Sequence, residues 1–265
     1  MTPKPIITFL SDFGTQDGYV GAVKGVLKSF NDSIEIIDIT HDIASYNIKQ
    51  AAFTLLNYYK QYPKGTVHLA VVDPGVGSKR NVIILHIENY YFVGPDNGIF
   101  QYVMQSDISE IYTIDPVSIY KNEKGATFHA RDIFAPIAAR LAIGERAENI
   151  GKRMDIINPA NKVNKIESNK SIQIDVDTIT CDKFGNIIFD ITKTERKQNK
   201  NQQIRTIRFK NFESNQIYDY YSQVTKGTPL FLWNSLGFLE LAICEGNAMN
   251  YFHCDIADKV TIIFK

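Results

Sequence analysis

Up to about residue 150 the chain alternates two textures. Near-continuous apolar runs of strand length, at residues 5–10, 34–39, 66–72, 81–87 and 91–93, are separated by segments with helical spacing of apolar positions at 19–30, 48–59 and 132–143. Unbroken apolar runs suit strands covered on both faces, and their alternation with helices predicts a mostly parallel, Rossmann-like α/β sheet with crossover helices. From residue 171 onward the runs become short and alternating, at 171–180, 186–191, 203–209, 229–232, 238–242 and 259–264, with turn residues between them. This texture predicts a small antiparallel β-barrel. The Asn- and Lys-rich stretch between the two textures shows neither period and reads as a linker. The expected division is therefore an α/β domain over 1–155, a linker over 156–170 and a β-barrel domain over 171–265.

A chain of 265 residues exceeds the usual single-domain size, which agrees with two domains. Its 29 basic and 29 acidic residues cancel. With no net field to hold a polyanion, nucleic acid is not the expected partner, and a small molecule is. Cys181, Cys244 and Cys254 lack the spacing of a zinc cluster, and no signal peptide precedes the first strand, so a reducing cytoplasm is expected. No apolar run is long enough to span a membrane.

The strand ends carry the chemistry. The run 66–72 ends in Asp73-Pro74-Gly75-Val76-Gly77-Ser78-Lys79-Arg80, a carboxylate, a glycine turn and an arginine. Ligands of parallel sheets bind outside the carboxyl ends of the strands, so Asp73 is expected at a crevice with Arg80 turning back toward it. The first strand delivers Asp12 and Asp17 in the same way, where a carboxylate can bind a sugar diol or an amine; Asp17 can equally cap the following helix. Gly94-Pro95-Asp96-Asn97-Gly98 reads first as a turn. His129, in Phe128-His129-Ala130-Arg131-Asp132, is the candidate proton handler, with a helix-start cluster capped by Asp132 as the plainer reading. His68 and His86 sit inside strand runs, as core histidines do, and His41 and His253 stand isolated. In the second half, Phe184 and Asn186, and the turn Asn234-Ser235-Leu236-Gly237, join aromatic and amide groups able to stack on and read a flat heterocycle. Convergent carboxylates with His129 leave a metal-dependent hydrolase of a nucleoside or small phosphate as an alternative, and a non-catalytic nucleoside sensor as another.

Taken together, Ser11-Asp12-Phe13-Gly14 with Asp17, Val72-Asp73-Pro74-Gly75-Val76-Gly77, Gly94-Pro95-Asp96-Asn97-Gly98, Phe128-His129-Ala130-Arg131-Asp132, Asp182-Lys183-Phe184-Gly185-Asn186 and Asn234-Ser235-Leu236-Gly237-Phe238-Leu239-Glu240 closely resemble the S-adenosyl-L-methionine hydroxide adenosyltransferases, relatives of the fluorinase and chlorinase. The resemblance implies hydrolysis of S-adenosylmethionine (SAM) to adenosine and methionine with no metal and no cofactor. It also implies a homotrimer whose sites lie between one subunit's first domain and its neighbour's second. By motif position, Asp73, Arg80 and His129 would be the catalytic residues; the halogenases carry tyrosines in place of Asp73 and His129. Asp12 would hold the ribose hydroxyls, Asp17 and Ser235 the methionine end, and Asn186 the adenine edge. Phe184, Tyr46, Tyr221 and Asn234 would surround the substrate, and the backbone at Glu245 would meet adenine. The implied reaction is in-line attack of an activated water on the ribose 5′-carbon. Arg80 stays protonated and would steady charge, so Asp73, His129 or the two as a coupled pair would take the proton.

Overall fold

The computed structural model describes residues 4–105, 108–116, 127–154, 164–168, 171–194 and 204–264. They form two compact units, Met1–Pro159 and Ala160–Lys265. The first unit runs β1 (Ile6–Ser11), α1 (Tyr19–Phe30), β2 (Glu35–Thr40), α2 (Ile48–Tyr58), β3 (Val67–Val71), β4 (Val82–Ile87), β5 (Tyr90–Pro95), β6 (Ile108–Ile114), α3 (Ala135–Ala142) and β7 (Lys152–Met154).

Its strands form one sheet in the order β2-β1-β3-β5-β4-β6-β7. The expected parallel sheet is the block β2-β1-β3-β5, to which β4, β6 and β7 add antiparallel pairings. The change of direction has a local cause. Glu88 and Asn89 both adopt positive φ, 50° and 71°, the backbone of a two-residue hairpin turn, so the runs 81–87 and 91–93 pair as a hairpin. From β1 the chain crosses to β2 on one side and then, through α2, to β3 on the other, so the order of the parallel block reverses at β1 and β3. A crevice opens outside the carboxyl ends of strands at such a point.

Both faces of this sheet are covered. Val20, Val23 and Leu27 on α1 and Ile137, Ala138 and Leu141 on α3 pack with Ile7, Phe9, Leu69 and Val71. On the other face Ala51 and Leu55 of α2 pack with Leu10, Ala70 and Val72. Consecutive residues of β3 thus enter opposite cores, which is why its sequence shows no polar alternation.

The second unit contains β8 (Asn164–Ser168), β9 (Ser171–Cys181), β10 (Ile187–Thr192), β11 (Ile204–Phe209), β12 (Phe212–Ser214), β13 (Ile217–Tyr218), β14 (Pro229–Trp233), β15 (Phe238–Ile243), a four-residue helix (Ala248–Tyr251) and β16 (Lys259–Phe264). The path β12-β11-β16-β9-β10-β15-β14-β13 curls into a nearly closed barrel, with β8 paired to β9. Phe212 near one end of the path stacks on Phe231 near the other, and Phe189, Phe209, Leu239, Leu241 and Ile262 fill the interior. The eleven-residue β9 pairs with β16 along 172–177 and with β10 beyond it.

Asn164–Ser168 lies in the segment expected as a linker, yet it pairs antiparallel with β9. Ile166 is the one apolar residue among those five, so there was no alternation to read; backbone bonds to β9 make the strand. The rest of the expected linker lies outside the described residues. Among the described residues no helix is long and apolar enough to cross a membrane.

Gly94 on β5 is a packing requirement. A Cβ there would lie 2.4 Å from the Ala70 carbonyl oxygen and 2.9 Å from the Phe100 ring. Gly94→Ala is expected to destabilise the protein by about 1–3 kcal/mol. Denaturant unfolding checks this, and a midpoint equal to that of the wild type would contradict the close approach.

Candidate active site

The crevice at the reversal of strand order holds a cavity of about 260 Å³ whose lining includes Asp12, Tyr46, Asp73 and His129. Asp12 follows β1 and Asp73 lies two residues beyond β3, so adjacent parallel strands deliver both carboxylates to one place. Asn97, in the predicted turn after β5, donates from Nδ2 to the Val72 carbonyl at 2.9 Å and ties that turn to the backbone beside Asp73.

Two successive turns bring Arg80 back over Asp73. Val76 N donates to Asp73 O, Ser78 N to Gly75 O, and Gly77 adopts φ 82°, a region where only glycine is unstrained. Arg80 Nε donates to Asp73 Oδ1 at 2.7 Å, its Nη2 meets Asp73 Oδ2, and Nη2 also lies 3.2 Å from His129 Nδ1. The guanidinium rests 5.3 Å from the centre of the Phe134 ring. Both side chains of the ion pair are largely shielded, 11% exposed for Arg80 and 5% for Asp73.

His129 is 1% exposed and opens α3 through a π-helical turn, Ala130–Phe134. Such turns are rare and occur often at functional sites. Arginine is always a donor, so Nδ1 of His129 must accept, and a neutral ring then carries its proton on Nε2. Burial pulls the imidazole below its ordinary range and Arg80 pushes the same way, against a smaller opposing pull from Asp73 and Asp132. His129 is therefore held neutral. Asp132 does not cap the helix; its carboxylate is paired with Arg131.

Asp12 Oδ2 accepts from Tyr46 N at 3.0 Å, and Oδ1 has no partner among the described residues. Tyr46 adopts φ 68°, a strained value for a tyrosine, and its ring is 70% exposed. Asp17 stands exposed outside the cavity lining, and the first turn of α1 has no side-chain cap, so the capping reading of Asp17 fails.

Sequence reasoning missed two features here. Phe13, Tyr19 and Phe128 form an aromatic triangle along the cavity, with ring centres 5.3–6.2 Å apart. Their positions, one after Asp12 and one before His129, were the available signal. His41 is not isolated: its Nδ1 lies 2.8 Å from Ser11 Oγ and its Nε2 lies 3.1 Å from Asp38 Oδ1. This has the connectivity of a serine–histidine–aspartate triad, but Ser11 is fully buried, so the chain braces the residue before Asp12 instead of serving as a nucleophile. His68 is a core histidine, as read, with Nδ1 2.8 Å from Thr8 Oγ1 and a pKa pulled down to about 3 by burial.

The candidate residues of the second unit sit on its turns. Asp182 Oδ1 accepts from Phe184 N and Asn186 N, both at 2.9 Å, and Oδ2 accepts from Asn186 Nδ2. Asn186 Oδ1 is left to accept, while the Phe184 ring is 76% exposed at the turn. Tyr221 is half exposed, Ser235 is exposed, and exposed Glu245 pairs with Lys226 at 3.0 Å.

A two-unit protein with a carboxylate, a guanidinium and a neutral imidazole joined at a strand-end crevice defines a class of small-molecule site, and comparison with known proteins specifies it. The chain matches the family models for the SAM hydroxide adenosyltransferase N-terminal domain over residues 7–151 and C-terminal domain over 176–261. It is 36% identical to the (R)-S-adenosyl-L-methionine hydrolase of Methanocaldococcus jannaschii, covering 98% of this chain and 96% of that protein. The Thermus thermophilus protein of the same name is 30% identical, over 91% and 93%. The crystal structure of a conserved protein from Thermotoga maritima superposes with a TM-score of 0.80 at 32% identity, covering 97% and 99% of the two chains. The chain belongs to the SAM hydroxide adenosyltransferase family.

At pH 7 the His129 ring is expected to be neutral with its proton on Nε2, as nitrogen NMR of labelled histidine would report; an Nδ1–H ring would contradict the Arg80 contact. The folded protein releases protons that unfolded histidines still hold. His129 and His68 therefore withdraw stability as pH falls below about 6.5, and acid titration of the unfolding midpoint should show the decline starting there.

Proposed function

We propose that the protein hydrolyses SAM to adenosine and L-methionine by in-line attack of water on the ribose 5′-carbon. The observation that carries this reading is the joined Asp73–Arg80–His129 group beside Asp12 in one cavity, within a family whose relatives are named for this hydrolysis. The sulfonium is already an activated leaving group and departs as a neutral thioether, so the reaction needs neither a general acid nor a metal. As the water oxygen bonds to carbon it becomes positive, and a carboxylate beside it favours that change. Asp73 is the proton acceptor in this scheme: the single lone pair on the basic nitrogen of neutral His129 is taken by Arg80, whereas each Asp73 oxygen keeps a second lone pair beside its bond to Arg80. Arg80 fixes both partners by its fork of donors. One C–O bond forms, the C–S bond breaks with its electron pair going to sulfur, and one proton is released per turnover.

Asp12 Oδ1 is the acceptor for the ribose hydroxyls, and Asn186 Oδ1 suits the adenine amino group. The cavity of about 260 Å³ is smaller than the about 300–1,000 Å³ that usually encloses a ligand of this size. A further wall would close that shortfall, and the family resemblance implies a homotrimer in which a neighbouring subunit's second unit supplies it, Phe184, Tyr221 and Ser235 among its residues. The odd set Cys181, Cys244 and Cys254, without the spacing of a disulfide framework, fits a reducing cytoplasmic setting.

Incubation in heavy-oxygen water with chelator present should give adenosine carrying the label, with one proton released per adenosine. Asp73→Asn is expected to lower kcat by about 100-fold or more with a smaller change in KM. Activity that disappears with chelator and returns with a divalent ion, or SAM that is bound and recovered intact, would overturn the proposal.

A further inference from the structure

The second unit buries a carboxylate that the reaction does not use. Glu240 on β15 is 3% exposed, and no lysine or arginine acts on it among the described residues. Its neighbours on the strand, Leu239 and Leu241, enter the barrel interior. Side chains alternate along a strand, so Glu240 lies on the opposite, outer face, with Ala242. Burial pushes its carboxyl above the ordinary range and Asp182 adds to the effect, so this position carries an electrostatic penalty that packing alone does not explain.

One group fastens to it: the Tyr221 hydroxyl donates to Glu240 Oε1 at 2.7 Å. Tyr221 sits in a short turn closed locally by Gln223 Oε1, which accepts from Asp219 N and Tyr220 N. Glu240 is what ties the Tyr221 ring to the sheet.

We infer that Glu240 is a positioning residue for substrate binding: it anchors the half-exposed Tyr221 ring by its hydroxyl. The inference rests on the proposed reading that Tyr221 meets SAM. A ring held at its hydroxyl loses little freedom when a flat nucleoside packs against it, whereas an untethered ring must be ordered on binding. The anchor acts before chemistry, so it belongs in KM and leaves kcat alone.

Steady-state kinetics of the full-length protein with SAM test this on Tyr221→Phe, on Glu240→Leu, which leaves no acceptor for the hydroxyl, and on the double variant. Each single change is expected to raise KM about tenfold, the scale of one hydrogen bond to a charged acceptor, with kcat within about twofold. The double variant should be no worse than the weaker single one, because both changes remove the same tie. An unchanged KM in Tyr221→Phe, or effects that multiply in the double variant, overturns the inference. Should Glu240→Leu fold poorly, Tyr221→Phe decides alone, since it leaves the buried carboxylate in place. A wild-type protein that neither binds nor hydrolyses SAM overturns the proposed function as well, which separates the two failures.

Discussion

Arg80 holds the site together by having more donors than any one partner can accept. Its guanidinium engages both oxygens of Asp73 and still reaches Nδ1 of His129, so one planar group sets the separation of a carboxylate from β3 and an imidazole from the start of α3. The remaining geometry serves that placement. The turns after Asp73 return the arginine, Asn97 fixes the backbone beside Asp73, and Phe134 supports the guanidinium face. A lysine would supply charge here, but not the fork.

The architecture was legible because it is written in long patterns. Runs buried on both faces reported the parallel block, and the shift to short alternation reported the barrel. Asp73 and Arg80 could be located from a strand followed by a proline–glycine turn, and Asp12 from the same logic at the neighbouring strand. The direction of β4 was hidden because it depends on two residues, Glu88 and Asn89, whose positive φ the sequence permits without requiring. The strand Asn164–Ser168 was hidden because its pairing is made by backbone atoms.

Pairwise chemistry was the least legible layer. His41 looked isolated because Ser11 and Asp38 reach it only through the fold, and Glu240 looked like the end of a motif because Tyr221, 19 residues away along the chain, meets it only in the fold. In sequence a histidine or glutamate carries no mark of its partners. The tautomer of His129 is a further case: it follows from Arg80 being nearby, which is a fact of three-dimensional arrangement.

The length of β9 binds the second unit into a single thermodynamic object. Its first half is hydrogen-bonded to β16 on one edge and β8 on the other and its last residues to β10, so no cut through the barrel leaves one part with its ladder intact. Separated halves would each expose a long unpaired edge, a state that water tolerates and neighbouring chains exploit. The turn that carries Phe184 follows directly from β9, and the strands beneath Tyr221 and Ser235 are reached from it through β10. Order at these distant turns is thus governed by one cooperative equilibrium.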